Sequence, residues 1–540
     1  MVSVEPAAEP GHFRVDYTLS HPVTLLHLFW PGASVRGLSW HLPQGGDLAL
    51  DGDMLVSLSG HPFDQVHFEL VELPEHADRQ NDPVDTFSDG SAVIFTGLFN
   101  IEGPLAATRF HFQPAAGQAV IFLGRRVTQG FYWTPDRSAT YVYFGALPLY
   151  KGNGYNAVLD PAIPAWLSTE LQQDLPDIFN RYRNLFGVNL KETPQIFFGY
   201  RFRDQPYLNY VGTAEPGAIR FEIRGADWHQ QAPESLLHAV AFFAHEAVHL
   251  WNGGLTHPAD NDAYPWLNEG SADALAFDTV HALGLTDDAA RLERYSSAFN
   301  ACLLELDATD QTIAGMPNGS TPYDCGAALA FLAGEAVHQH DPALGLADIW
   351  KATFQAAATT QSSYTPDSFF AALTRLSGSP AESQELHGFL TAKAPELRQG
   401  LLEALHHDGY QLLSDAPSLD DGEQLATLLF SFVMKADCDS HSSMQAHPDH
   451  LTLKPNPACH VLTQPYNVRG LGGYDLFTDV AAAYDYVARQ CQRHESMIVN
   501  LYQDRRRFEV PCILQPPAMP ALIRIAPAAV TAAAVPGAAS

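Results

Sequence analysis

The sequence has little positive charge and no long hydrophobic run. It contains 30 Lys and Arg residues against 61 Asp and Glu residues, which gives a net charge of −31. Such an acidic chain repels nucleic acid and anionic membranes, so both are excluded as partners. No stretch of about 18 or more residues is apolar enough to cross a bilayer, which excludes a transmembrane protein.

The N-terminus lacks the features of a secretory signal. The opening stretch, MVSVEPAAEPGHFRVDY, has no apolar run behind basic residues. We therefore expect a cytoplasmic protein, or a periplasmic or secreted one if a leader was removed before this numbering. At 540 residues the chain is too long for a single core, so three or four domains are expected. The sequence does not predict the oligomeric state.

Cysteine is scarce, with six residues in the whole chain. We expect free thiols, with Cys302 and Cys325 as small buried residues. The other four cysteines lie near the C-terminus and could instead form disulfides, which would imply an oxidising compartment. A structural metal site made by two cysteines and two histidines is a third alternative; its ligands would be Cys438, His441, Cys459 and His460.

The stretch FFAHEAVHLWNGG, residues 242–254, contains the pattern H-E-x-x-H. Apolar residues recur at helical spacing from Pro233, so we predict one buried helix. On a helix, His245 and His249 project from one face and can bind the same metal ion, and Glu246 can reach a water on that ion. The alternative is a buried helix with hydrogen-bonded histidines, but an unpaired Glu is costly in such an apolar stretch.

A third ligand is predicted downstream, in YPWLNEGSADALAFD, residues 264–278. Glu269 would complete a two-His, one-Glu set that leaves one coordination position open for water, the arrangement of a catalytic zinc site with one Zn²⁺ per chain. Asp273 lies one turn further along the same helix face and can accept the outer N–H of a ligand histidine. Taken alone, Glu269 could equally be a solvated residue at a helix start.

At this point the sequence resembles the gluzincin metallopeptidases. The WLNEG block is similar to that of the M1 aminopeptidases, and HLWN with the order of domains is similar to the M61 glycyl-aminopeptidase group. The interval between His249 and Glu269 is one residue longer than is usual in these families. Because it lies within the WLNEG block, Asn268 is predicted to support the ligand Glu269.

The resemblance also implies two substrate-contacting elements. In YVGTAEPGAIRFEIRG, residues 210–225, Gly212 and Glu215 match a G-x-x-E element whose Glu binds the free amine of the substrate. In STPYDCGAALAFLAGEAV, residues 320–337, Tyr323 matches a Tyr whose hydroxyl stabilises the tetrahedral oxyanion. The alternatives are a turn residue for Glu215, before Pro216, and a tyrosine that packs a helix start for Tyr323.

We predict a multidomain α+β protein from the distribution of strand-like and helix-like segments, taken together with the resemblance. Seven strand-like runs interrupted by Gly, Pro and Asp occupy the first 158 residues, helices dominate from 286, and an Ala/Pro-rich stretch ends the chain. The predicted domains are a β-sandwich-like domain at 1–158, a thermolysin-like zinc catalytic domain at 159–285, an α-helical domain at 286–412, a degenerate PDZ-like α/β module at 413–515 and a disordered tail at 516–540.

These observations predict a zinc aminopeptidase that acts on peptides, with small N-terminal residues such as Gly or Ala suspected. His245, His249 and Glu269 are the predicted metal ligands, and Glu246 and Tyr323 the predicted catalytic residues. Three alternatives remain: an endopeptidase or dedicated protease for a modified peptide, another zinc-water hydrolysis such as epoxide opening, and a non-catalytic binding protein. Glu215 separates the first alternative from an exopeptidase, and intact Glu246 and Tyr323 disfavour the last.

Overall fold

A computed structural model describes most of the chain, namely residues 1–73, 81–104, 108–136, 139–205, 208–259, 264–309, 311–316, 321–360, 363–412, 419–438, 443–447, 449–454, 459–502 and 504–527. The chain forms two compact units. The first comprises Met1–Tyr264, Leu275–Thr286 and Leu344–Leu376, and the second Pro265–Ala274, Asp287–Ala343 and Ser377–Ser540. No helix within the described residues is both long and apolar enough to cross a membrane.

The first unit begins with the predicted all-β region. A six-stranded sheet, ordered β13-β10-β1-β2-β7-β4, packs against a five-stranded sheet, ordered β12-β11-β14-β9-β8, through rings such as Phe13 and Phe144. A three-stranded sheet, β3-β6-β5, and one short helix complete the region. The bounds are β1 Val2–Pro6, β2 His12–Val23, β3 Leu25–His27, α1 Ala33–Ser39, β4 Trp40–His41, β5 Leu48–Asp51, β6 Met54–Ser57, β7 Phe63–Val71, β8 Val84–Thr86, β9 Ala92–Phe95, β10 Phe110–Phe112, β11 Ala119–Phe122, β12 Arg125–Val127, β13 Phe131–Trp133 and β14 Tyr141–Gly145.

The same unit continues with a mixed sheet and the helices that follow it. The sheet has the order β15-β16-β17-β19-β18, with β16, β17 and β19 parallel and β18 antiparallel at the edge. Helix α2 turns an apolar stripe inward and ends at Gly187, which has a positive φ of 63°. The bounds are β15 Tyr150–Lys151, β16 Asn156–Leu159, α2 Ala165–Phe186, β17 Gln195–Arg201, β18 Asn209–Glu215, β19 Ala218–Arg224, α3 Pro233–His249, α7 Leu346–Thr360 and α8 Pro366–Ser377.

The second unit is helical at first and ends in a second α/β region. Its antiparallel sheet has the order β21-β22-β23-β25-β26, with β24 paired to β23. The predicted succession of strand, Gly turn, helix and hairpin after Val468 is confirmed by β23, α12, β25 and β26. The bounds are α4 Pro265–Ala282, whose residues from Leu275 onward belong to the first unit, α5 Asp288–Thr309, α6 Thr321–His340, α9 Pro380–Phe389, α10 Ala394–His407, β20 Tyr410–Leu412, α11 Leu419–Asp437, β21 Ser443–His447, β22 His450–Lys454, β23 Tyr466–Leu471, β24 Tyr474–Asp475, α12 Val480–Gln492, β25 Ser496–Leu501, β26 Arg507–Pro511 and β27 Ile525–Pro527.

The prediction of a disordered tail from residue 516 is wrong for its first part. Strand β27 pairs with β20 in an antiparallel arrangement, and Ile523 and Ile525 are buried. The Asn300 side chain of α5 accepts a hydrogen bond from the Ile523 N–H at 2.7 Å and donates to the Ile523 carbonyl at 2.9 Å. The two buried isoleucines therefore supply the apolar surface that holds this segment in place, which the surrounding Ala and Pro residues lack. Residues 528–540 lie outside the described part of the chain.

The expectation of free thiols is also wrong. All six cysteines are joined in three disulfides: Cys302–Cys325, Cys438–Cys459 and Cys491–Cys512. The two cysteines of each pair are 21 or 23 positions apart in the sequence. Packing of α5 against α6 brings the first pair together, and folding of the C-terminal region brings the other two together. The alternative metal site at Cys438 and Cys459 fails because both sulfurs are used in a disulfide; its His441 lies outside the described residues.

Candidate metal centre

The two histidines of the H-E-x-x-H pattern lie together on α3, which begins at Pro233 as predicted. Their Nε2 atoms are 3.0 Å apart, and His245 is 5% exposed. Two nitrogen ligands of a tetrahedral zinc ion, each about 2.0–2.1 Å from the metal, lie roughly 3.3 Å from each other. The helix therefore presents this pair at the separation that one ion requires.

A turn of π-helix after α3 orients the second histidine. This turn spans Leu250–Leu255, and Asn252 within it is fully buried. The Oδ1 atom of Asn252 lies 2.9 Å from Nδ1 of His249, while the backbone carbonyl of Asn252 accepts a hydrogen bond from the Tyr364 hydroxyl at 2.8 Å. An N–H at Nδ1 that donates to Asn252 leaves the Nε2 lone pair available for a metal. Sequence reasoning missed this residue, although the N of HLWN was the available signal.

Glu269 on α4 joins the histidine pair. One ligand atom each of His245, His249 and Glu269 lies within 4.8 Å of the others. The neighbouring Asn268 donates from Nδ2 to Oε1 of Glu269 at 3.1 Å, which restrains the carboxylate. Two imidazole nitrogens and one carboxylate oxygen form the donor set of catalytic zinc sites, so the residues fit the predicted metal.

Glu246, the predicted proton acceptor, is 6% exposed on α3. It directly follows His245, a predicted ligand, in the sequence, and its burial removes the carboxylate from bulk water. Asp273 lies one turn after Glu269 on α4. Burial and the nearby carboxylates of Asp273 and Glu305 raise the pKa of Asp324 on α6 well above its usual range. The role of Asp273 as an acceptor for a ligand histidine stays a prediction.

Glu215 is the last residue of β18, the edge strand of the mixed sheet. Gly212 on this strand faces helix α3, because a Cβ at this position would lie 2.7 Å from Cε1 of Phe242 on that helix. The absence of a side chain at Gly212 thus lets the edge strand lie directly against α3. The strand that carries both residues of the G-x-x-E element therefore lies against the helix that carries the histidine pair.

Two residues of the N-terminal β region form a chain of hydrogen bonds that ends at Glu215, and sequence reasoning missed both. Asn81 donates from Nδ2 to Oε1 of Glu215 at 3.2 Å, and the Tyr141 hydroxyl donates to Oδ1 of Asn81 at 2.7 Å. The Thr213 hydroxyl, on the same strand as Glu215, is hydrogen-bonded to Tyr141. Burial raises the pKa of the Glu215 carboxyl to about 8, and the Asn81 hydrogen bond opposes this rise.

A buried ion network holds the segment that carries Asn81. Arg220 on β19 contacts Asp82 at 3.3 Å and Asp85 at 2.5 Å. The guanidinium of Arg224 contacts Glu222 at 2.5 Å on the same strand. Removal of one member of such a network would leave an unpaired buried charge, which is strongly destabilising. The network therefore holds the N-terminal region on the mixed sheet.

Tyr323 lies in the first turn of α6 and is partly buried. Three residues later, at Gly326, α6 crosses α4 at Gly270. A methyl group on either glycine would overlap the backbone of the opposite helix. The glycines of the WLNEG and YDCG stretches are thus explained by one close helix crossing. This crossing brings the start of α6 to the part of α4 that carries Glu269.

Comparisons with known proteins give the fold. A solved aminopeptidase N family protein from Idiomarina loihiensis superposes with a TM-score of 0.64 at 14% identity, and the match covers 98% of each chain. This chain has the aminopeptidase N fold. No family model and no curated protein matches the sequence.

Two further solved structures align less well. Yeast LTA4 hydrolase gives a TM-score of 0.46 at 14% identity over 81% of this chain and 71% of that chain. A two-domain M1 zinc metallopeptidase bound to L-arginine gives 0.40 at 12% identity over 73% of this chain and 92% of that chain. The predicted multidomain α+β architecture, with a β-rich N-terminal region followed by helices, is confirmed as an aminopeptidase N fold.

Proposed function

We propose that the protein is a zinc-dependent aminopeptidase of the gluzincin type that removes N-terminal residues from peptides. The observation that carries this proposal is the cluster of His245, His249 and Glu269, whose ligand atoms lie within 4.8 Å of one another. The Asn252 contact to His249 supports it, because a metal-binding histidine usually donates its other N–H to an oxygen. The fold shared with an aminopeptidase N family protein is consistent with it.

The proposed reaction is hydrolysis of the first peptide bond. Zinc bound by the three ligands would supply a Lewis acid and lower the pKa of a coordinated water towards neutrality. Glu246 accepts a proton from the attacking water and passes it to the leaving amine as the C–N bond breaks. The Tyr323 hydroxyl donates to the oxyanion that develops on the carbonyl. Glu215 binds the free ammonium of the substrate.

Several finer assignments belong to the same proposal. The order of domains and HLWN favour the M61 group, with a preference for small N-terminal residues such as Gly or Ala, and a degenerate PDZ-like module at 413–515. The other proposed domain limits are 1–158, 159–285 and 286–412. Three disulfides favour an oxidising compartment such as the periplasm or the cell exterior over the cytoplasm.

The test of the metal assignment is the zinc content of purified variants. The wild type should hold about one zinc per chain, and His249→Ala and Glu269→Ala should each lose most of it. His238→Ala is the matched control, because His238 is an exposed histidine of the same helix. Stoichiometric zinc in both ligand variants would contradict the assignment.

The test of the activity is hydrolysis of aminoacyl amides compared with N-acetylated peptides, with and without a chelator. We expect chelator-sensitive cleavage that is much faster for the free-amine substrates than for the N-acetylated ones. Equal cleavage of free and blocked substrates would instead indicate the endopeptidase alternative. A zinc-loaded protein that cleaves neither would indicate another hydrolysis or a binding function.

A further inference from the structure

The first turn of α6 is fixed on two sides within the second unit. Cys325 is bonded to Cys302 of α5, and the two cysteines are 0% and 1% exposed. Next to this disulfide, Gly326 crosses α4 at Gly270 without room for a methyl group on either helix. The start of α6 therefore cannot shift without a broken covalent bond or a wider helix crossing.

Tyr323 and Glu269 are adjacent to these fixed points. Tyr323 precedes Cys325 by two residues and lies in the same helical turn, while Glu269 directly precedes Gly270. The crossing of α4 and α6 consequently sets the backbone position of both residues. The disulfide also ties α6 to a third helix, α5. This is a more rigid attachment than packing alone provides, since side chains in a core still change rotamer.

We propose that the Cys302–Cys325 disulfide is a positioning device for the Tyr323 hydroxyl; this inference rests on the proposed function. An oxyanion donor contributes to catalysis only when it lies about 2.7–3.1 Å from the oxygen that becomes negative. A displacement of roughly 1 Å can lower a rate by about a hundredfold. The disulfide therefore acts on turnover through Tyr323, in addition to its effect on stability.

The chain contains a matched control for the stability effect. The disulfide Cys491–Cys512 links residues 21 positions apart, against 23 for Cys302–Cys325. Loops of nearly equal length constrain the unfolded chain to a similar degree, so loss of either bond should have a similar effect on the unfolded state. Cys491 lies on α12 and belongs to the core of the C-terminal sheet, which contains none of the proposed catalytic residues.

The experiment is a double-mutant cycle in the full-length, zinc-loaded protein. The variants are C302A/C325A, Tyr323→Phe, their combination, and the control C491A/C512A. For each we would measure kcat and KM for an aminoacyl amide, zinc content, Tm, and the calorimetric affinities for a phosphinic analogue of the substrate and for the product amino acid. The tetrahedral oxygens of this analogue imitate the reacting centre, whereas the product amino acid does not.

We expect C302A/C325A to lower kcat by roughly tenfold to a hundredfold with KM nearly unchanged. The same variant should bind the phosphinic analogue more weakly and the product with unchanged affinity. In the Tyr323→Phe background the same change should lower kcat by less than about twofold, because the hydroxyl is already absent. C491A/C512A should lower Tm and keep kcat. Zinc content should be unchanged in all four variants.

Equal losses of kcat in both backgrounds, or no loss in either, would overturn the positioning role. If C302A/C325A does not fold, C302V/C325A refills the volume of the sulfurs and replaces it in the cycle. If neither folds while C491A/C512A does, the disulfide is a folding requirement and the inference is wrong. Failure of the proposed function is distinguishable, because the wild type would then hydrolyse no aminoacyl amide at all.

Discussion

The helix that carries the histidine pair and the end of the edge strand beside it are built in opposite ways. On α3, His245 and His249 are four residues apart, and Asn252, which orients the second histidine, follows three residues later. At the end of β18, Glu215 is contacted by Asn81, which lies 134 residues upstream. The first arrangement is local in sequence, and the second depends on the packing of a separate β region.

This difference determines which substrates a change in each region should affect. The histidine pair follows from the pitch of one helix, so it exists wherever that helix forms. The surroundings of Glu215 exist only while the ion network around Arg220 holds the N-terminal region on the sheet. We therefore expect changes on α3 to affect every substrate equally, and changes around Glu215 to affect only substrates with a free amine.

The largest effect is expected from Glu246→Gln on α3. The size of the side chain is retained and the three proposed metal ligands are untouched, so the zinc content should not change. Loss of the base should lower kcat by roughly 10²–10⁴, by the same factor for any substrate the wild type cleaves. Steady-state kinetics with zinc analysis would test this, and full activity of the variant would contradict the peptidase mechanism.

The next largest effect is expected from Glu215→Ala. Because a hydrogen bond to a charged group contributes about 1.5–3 kcal/mol, kcat/KM for free-amine substrates should fall by roughly 10- to 150-fold. Residual cleavage of N-acetylated substrates serves as the internal control and should change little. An equal loss on both substrate types would mean that Glu215 supports the fold of the edge strand and does not bind the amine.

A smaller effect is expected from pH. Burial raises the pKa of Glu215 to about 8, so its carboxylate becomes populated as the pH rises. Since the substrate ammonium is lost above about pH 8, kcat/KM for free-amine substrates, divided by the value for blocked ones, should peak near that pH. Between about pH 7 and 6 the ratio should fall by roughly tenfold. A ratio that is flat over this range would contradict an ionised Glu215 as the amine ligand.

The smallest effect is expected from Asn81→Ala. Its amide stabilises the charged form of Glu215, so its removal should raise the Glu215 pKa further and move the free-amine optimum to higher pH. We expect a loss of a few-fold in kcat/KM at neutral pH and recovery as the pH rises. An unchanged pH profile would show that the contact between Asn81 and Glu215 does not affect the ionisation of Glu215 during catalysis.

The sequence predicted the elements better than their long-range pairing. Helix α3 begins at Pro233 as expected, because Pro at the first turn and an uninterrupted apolar period are local signals. The free thiols and the fully disordered tail were wrong, since both depend on partners far along the chain. Cys302 finds Cys325 only when α5 and α6 pack, and Ile525 is ordered only because β20 accepts it.

The amino-acid sequence by itself determined the donor chemistry of the candidate site. It fixed two imidazoles at one helical turn, a carboxylate between them, and a second carboxylate in WLNEG, because helix pitch converts spacing into a shared face.

Only the tertiary structure decided what surrounds these groups. The contact of Asn81 with Glu215, the raised pKa that burial gives this carboxyl, and the crossing of Gly270 with Gly326 depend on residues far apart in the chain. Burial and close helix contact are properties of the packed chain, and no local period in the sequence encodes them.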